Sequence, residues 1–117
     1  EESPAPDGAY DWWNVYGVLM TTTDMVMRGR AAAARVFRAW AEEAPELRAL
    51  GDCVPLLEAS AEAGAALFDD LHEDDGVFHG EPWRVHAAAS FGLVAGHDRR
   101  CAEIMSTVEA SAHSSAA

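Results

Sequence analysis

The sequence contains no lysine, and isoleucine occurs only once. It has no run of 18 or more apolar residues, so we predict no membrane insertion. All eight basic residues are arginine and stand against 20 acidic residues, which gives a net charge of −12. A negative field of this size repels phosphate groups and excludes sequence-independent binding of nucleic acid. Two kinds of explanation of the charge stay open: a compositional one, from the source genome or a salty habitat, and a functional one, from attraction for a basic partner or imitation of nucleic acid.

The sequence also lacks the motifs of common catalytic sites. It has no GxSxG, no HExxH, no Gly-rich phosphate loop and no paired ExxH of the di-iron type. Its two cysteines form no CxxC motif, so the sequence gives no support for thioredoxin-like chemistry or haem attachment. We therefore lean toward a protein that is not an enzyme.

What the sequence does contain is an α-helical pattern in an alanine-rich chain. Apolar or small residues recur at steps of three and four between Leu47 and Leu71, which is the spacing of one helix face. No strand-like alternation occurs. The pattern predicts an all-α fold, a compact antiparallel bundle of four to five helices.

Helix-breaking and helix-capping residues predict where the helices end. Three consecutive threonines followed by Asp24 predict a kink or a restart in the first helical segment. Pro45 predicts the end of the next segment, and Pro82 the start of a later helix. Gly96 followed by Asp98 predicts a stop and a further start. Within these helices we expect the following side chains to face inward: Val26, Ala33, Val36, Phe37, Trp40, Cys101, Ile104, Met105 and Val108.

The ends of the chain differ in composition from its middle. Residues 1–8 are rich in proline and predict a flexible segment, residues 9–111 form the helical domain, and residues 112–117 form a tail. The first residues fit either an end left by processing or a truncated chain. The compartment stays open between the cytoplasm and secretion.

Aromatic residues crowd the start of the first helix. Trp12 and Trp13 point about 100° apart on a helix, so burying both requires two covering surfaces. One surface is the bundle, and the other is either the N-terminal segment or a partner, since Trp and Tyr dominate binding hot spots. The leading hypothesis is a non-enzymatic interaction module or accessory subunit that docks a protein partner or a second copy. The residues proposed for this contact are Trp12, Trp13, Tyr16 and Met20.

The alternative hypothesis is a bundle that binds a metal or a small ligand through the acidic, histidine-rich segment 69–86. Carboxylate and imidazole side chains together suit a divalent transition metal, although nothing in the sequence requires a cofactor. A polar loop at a solvated helix end would have the same composition. The candidate ligands are Asp69, His72, Glu73, His79 and His86.

Three further groups carry hypotheses of their own. Cys53 follows Gly51 and Asp52, which predict a helix stop and a new start, and Cys101 follows the start predicted at Asp98. Both cysteines would then lie at the same end of the bundle, which fits either a disulfide or two small buried residues. Arg28, Arg30, Arg35 and Arg38 form the one basic cluster, which suits an anion or, more simply, ion pairs with neighbouring acidic residues. A second alternative function is a small helical enzyme with a His-lined pocket, drawn from Trp40, Trp83, His86 and His97.

Overall fold

The computed structural model describes the backbone of residues 9–73 and 81–116, and the side chains of residues 17–70 and 81–113. Every described residue except Ala44 is helical. Helix α1 spans Ala9–Glu43, a 3-10 segment spans Pro45–Cys53, α2 spans Val54–Glu73 and α3 spans Glu81–Ala116. The all-α prediction is confirmed, whereas the described part of the chain has three α-helices rather than four or five.

Helix α1 continues through the three threonines, so the predicted interruption at Asp24 is wrong. The Thr23 hydroxyl donates hydrogen bonds to the carbonyl oxygens of Leu19 at 2.9 Å and Met20 at 3.2 Å. The same side chain is only 1% exposed. Because this hydroxyl is satisfied within the helix and the methyl group is buried, packing outweighs the low helix propensity of threonine.

Helix α3 continues through Gly96, so the predicted stop there and the new start at Asp98 are also wrong. Val94, Cys101 and Ile104 are buried on one face that passes Gly96 without a break. Burial on both sides of the glycine offsets its helix cost of about 1 kcal/mol. Asp98 pairs with Arg30 of α1 instead of capping a helix.

The two prolines act as predicted. Helix α1 ends at Glu43 and Pro45 begins the 3-10 segment, while Pro82 is the second residue of α3. The missing N–H of proline costs nothing at these positions because it would have no helical acceptor there. Helix α3 also covers most of the predicted tail, since it reaches Ala116.

The buried residues form two clusters along the length of the molecule. One contains Ala34, Cys53, Val54, Leu57, Cys101 and Ile104. The other contains Leu67, Trp83 and Ala87, with Leu19, Met20 and Phe91 packed against it. On α2, Ser60 and Gly64 lie in the stretch that connects them.

The molecule is elongated, so the prediction of a compact bundle is wrong. It measures 64 × 28 × 20 Å and has a radius of gyration of 18.7 Å. A compact domain of this length has a radius of gyration of about 13 Å. The long axis follows from the uninterrupted α1 and α3, since 35 helical residues extend about 52 Å. None of the described helices carries an apolar stretch that would cross a bilayer.

Candidate functional site

The large apolar side chains that stay exposed are confined to two helices. Within the described side chains, α2 and the 3-10 segment carry none of them. Those on α1 are Val18, Met25, Val36 and Trp40, and those on α3 are Val85, Leu93 and Met105. The expectation that Val36, Trp40 and Met105 face inward is wrong, since they are 43%, 46% and 46% exposed.

A line of side chains runs along one side of α1 and is here called the α1 stripe; all its members are exposed except Thr22, which is half-buried. At 100° per residue its members fall within about 80° of arc, and they extend about 33 Å along the helix. None is charged. The stripe consists of Val18, Thr22, Met25, Gly29, Ala32, Val36 and Trp40.

Helix α1 therefore has two apolar faces. Thr23 and Ala34 are buried against α2, roughly on the opposite side of the helix from the stripe. A helix at the surface of a small domain normally carries one apolar stripe and a polar opposite face. The second apolar face of α1 is thus left exposed in the described part of the chain.

The α1 stripe borders an open groove between α1 and α3. Among the described residues, these two helices bring no pair of Cα atoms within 8 Å, although α2 approaches both. The groove has a volume of about 320 Å³ and is walled by Phe37, Cys101 and Met105 among others. A side-chain ion pair spans it, with Arg30 Nη2 2.5 Å from Asp98 Oδ2.

An aromatic pair joins the stripe to this groove. The rings of Phe37 and Trp40 are stacked, with centroids 5.9 Å apart and an angle of 22° between their planes. Phe37 packs against the buried cluster around Cys53, so it holds the neighbouring Trp40 ring at the surface. Offset stacking of this kind stabilises a pair by about 0.5–1.5 kcal/mol beyond burial alone.

The negative charge is not spread evenly over the helices. Helix α2 has five acidic residues and no arginine, whereas α1 has four of each sign and α3 has four acidic residues and three arginines. The exposed apolar residues thus lie on the two nearly neutral helices. Helix α2 carries the strongest repulsion toward another acidic surface.

The predicted partner-binding residues lie mostly outside the described side chains. Trp12, Trp13 and Tyr16 belong to α1, but only their backbone is described. Met20 is half-buried and packs against the cluster of Leu67, Trp83 and Ala87. The α1 stripe was missed at the sequence level, although its three-and-four spacing is present in the sequence.

The predicted metal ligands fall partly outside the described side chains as well. Asp69 is exposed and Asp70 half-buried near the end of α2, and His86 is exposed on α3. The side chains of His72, Glu73 and His79 are not among those described. Within the described residues no three His, Cys, Asp or Glu side chains converge on one point. The metal hypothesis stays a prediction.

The two cysteines are neighbours in the core, and of the two alternatives left open by the sequence they are small buried residues rather than a disulfide. Each thiol lies 3.9 Å from the other residue's carbonyl oxygen and donates toward it, and both are free and buried. The two sulfur atoms are not at disulfide distance.

Burial controls the acidity of these thiols. It raises the pKa of Cys53 from 9.0 to about 12, with the nearby Cys101 adding to the effect. Burial likewise raises the pKa of Cys101. The thiolate is the reactive form of cysteine, so both residues are inert core residues in the folded chain.

The arginine cluster is largely neutralised by ion pairs. Arg28 contacts Asp24 at 2.7 Å, and Arg38 contacts Glu58 at 2.8 Å. Arg30 pairs with Asp98 across the groove. Arg35 is exposed and has no carboxylate within 4 Å among the described side chains.

The residues proposed for an enzymatic pocket do not share one. Trp83 is buried near the start of α3, and the half-buried His97 lies 14 residues further, about 21 Å along the same helix. Trp40 packs beside the other buried cluster. No protein-family model, curated protein or solved structure matches this chain.

Proposed function

We propose that this chain is a non-enzymatic interaction protein that docks a helical protein partner along the α1 stripe and the adjoining groove. The observation that carries the proposal is the confinement of the large exposed apolar side chains to α1 and α3 among the described residues. Contiguous exposed apolar surface on a small protein marks a contact site.

We further propose that the helices form an antiparallel bundle that presents this surface. Leu67 of α2 packs near Met20 of α1, whereas Leu57 of α2 packs near Ala34. Residue numbers therefore increase along α2 in the direction in which they decrease along α1, as in antiparallel helices. The order of contacts between α2 and α3 supports the same arrangement, since Leu67 packs near Trp83. In an antiparallel bundle, α1 and α3 run in the same direction along the two sides of the groove.

Trp40 is the expected anchor of the contact. It is 46% exposed, its ring is held by Phe37, and it lies beside a groove of about 320 Å³ that suits one or two apolar side chains of a partner helix. Truncating a hot-spot tryptophan costs roughly 2 kcal/mol or more of binding free energy. Trp12, Trp13 and Tyr16 precede the stripe on the same helix and stay a predicted extension of the surface.

The proposal is tested by photo-crosslinking in the native cell. A photoreactive phenylalanine derivative at Val36 is expected to give a covalent adduct with a protein, because this position lies on the stripe. The same derivative at Glu62 is the matched control, since it is exposed on the acidic α2. An adduct at Val36 that Trp40→Ala abolishes supports the proposal. Equal adducts at both positions, or none at Val36, would contradict it.

A further inference from the structure

We infer that Cys53 and Cys101 form a reversible redox pair, in which a small-molecule disulfide oxidises the two thiols to a bridge that fastens α3 to the 3-10 segment. The structure shows the reduced form of the pair, with both thiols free. The sequence contains no other cysteine, so each of the two has only the other as a partner within the chain. The inference is independent of the docking function.

The two side chains lie beside each other where two elements meet. Cys53 is the last residue of the 3-10 segment, and Cys101 lies near the middle of α3. Each sulfur atom lies 3.9 Å from the carbonyl oxygen of the other residue, so each side chain extends toward the other's backbone. Burial and then a hydrogen bond with Cys101 raise the pKa of Cys53, so the two thiols are near enough to affect each other. Rotation about a Cα–Cβ bond moves one sulfur relative to the other while the backbone stays in place.

The pair reacts when α3 moves, because neither thiol is accessible in the closed fold. Cys53 is 0% and Cys101 6% exposed. Cys101 lines the groove between α1 and α3. Among the described residues these two helices bring no pair of Cα atoms within 8 Å, so side-chain contacts such as the ion pair of Arg30 and Asp98 connect them. Cys101, on the moving helix and beside the groove, is the sulfur that a small reagent reaches first.

The reaction is a thiol–disulfide exchange in two steps. When α3 opens, the Cys101 thiol loses its proton to solvent, and the thiolate attacks a small-molecule disulfide RSSR. A mixed disulfide forms between Cys101 and one RS group, and the other leaves as RS⁻. As α3 returns, the Cys53 thiol also loses its proton, and its thiolate attacks the Cys101 sulfur and releases the second RS⁻. The two cysteines are oxidised, the reagent is reduced to two RSH by the two protons, and excess thiol reverses both steps.

The bridge would join two elements that are distant along the chain. The two cysteines are 48 residues apart, and closing a loop of this length restricts the unfolded chain and stabilises the fold. Because Cys101 lies near the middle of α3, the bond holds this helix at its centre. Oxidation therefore prevents α3 from leaving the other helices, and reduction permits it.

The inference is tested by equilibrating the full chain with mixtures of oxidised and reduced glutathione and measuring its intact mass after an acid quench. A bridge removes two hydrogen atoms, whereas a mixed disulfide adds a glutathione group. We expect one bridged, monomeric product, with an equilibrium constant for bridging ~100-fold larger in the folded chain than in concentrated urea. The fold already holds the two sulfur atoms close together, whereas the unfolded chain must first bring the two residues together.

Cys53→Ala is the control, since it keeps Cys101 and removes its partner. This variant is expected to give a mixed disulfide with glutathione and no bridge. The bridged chain is expected to have a Tm about 10 °C above that of the reduced chain, reversed by dithiothreitol, and oxidised Cys53→Ala to show no such increase.

A bridging constant no larger in the folded chain than in urea overturns the inference. So does a product that carries glutathione on both cysteines, or a disulfide between two chains. These outcomes are read from the unsubstituted chain, so they decide the inference even if Cys53→Ala is unstable.

Discussion

Gly64 on α2 packs closely against the backbone of α1, and we expect Gly64→Ala to destabilise the fold. A Cβ on Gly64 would lie 3.0 Å from the backbone N of Met27, 3.1 Å from Val26 Cγ1 and 3.2 Å from the carbonyl oxygen of Thr23. Two of these three atoms belong to the backbone of α1. They cannot rotate away, so the two helices must separate by a few tenths of an ångström.

The magnitude is the difference between two opposing effects. Replacing glycine by alanine inside a helix gains about 0.8–1 kcal/mol from propensity and from the reduced entropy of the unfolded chain. Overpacking of a close contact costs roughly 1–3 kcal/mol. The balance is a loss of about 1 kcal/mol for Gly64→Ala. Gly92→Ala, which meets nothing within 4 Å, keeps the full gain.

The measurement is urea denaturation of both variants and the unsubstituted chain at one protein concentration. We expect Gly64→Ala to lie about 2 kcal/mol below Gly92→Ala in free energy of unfolding, since the two share the same propensity gain. Comparing the variants with each other removes that common term. If Gly64→Ala is as stable as Gly92→Ala, the close packing of α1 on α2 at this point is refuted.

Two further predictions concern buried polar groups. Ser60 is 0% exposed and its Oγ has no hydrogen-bond partner among the described residues. Ser60→Ala should therefore raise the free energy of unfolding by about 1 kcal/mol, seen as a higher Tm, and a lower Tm would reveal a partner for the hydroxyl. The pKa of Cys53 is about 12 in the folded chain and 9.0 for the unperturbed thiol, so the folded chain holds the thiol proton more tightly. Stability should fall as the pH rises from 9 toward 12, by at most about 1.4 kcal/mol per pH unit for one thiol. A Cys53→Ala, Cys101→Ala double variant, measured by Tm between about pH 8 and 10.5, should show a shallower decline, and an unchanged slope would contradict the assignment.

Local spacing predicted the helices but not which of their faces meet the core. Helix α1 carries apolar residues on two faces, and three-and-four spacing alone fits either of them. Val36 and Trp40 were expected inside because they share a spacing with buried neighbours. Which face is covered depends on where α2 and α3 approach, and this is set by contacts distant in sequence.

The helix ends predicted at the three threonines and at Gly96 were wrong for a related reason. Proline removes a donor and fixes a dihedral angle, so Pro45 and Pro82 act through local chemistry that the sequence shows directly. Threonine and glycine only lower helix propensity, by about 1 kcal/mol or less. Burial of Thr23 and of the face around Gly96 outweighs that cost. The exposed α1 stripe was missed in part because Val36 and Trp40 were assigned to the core.

The separation of α1 from α3 also bears on how the chain opens. Helices α1 and α2 are joined by the short 3-10 segment, whereas α3 reaches its partners across long stretches of chain, 48 residues between Cys53 and Cys101 and 68 between Arg30 and Asp98. Long-range contacts close later in folding, and an element held by fewer backbone approaches opens at lower free energy. Departure of α3 alone would uncover both thiols while α1 and α2 stayed paired. The rate at which they are alkylated would then report on a partial opening of the native chain.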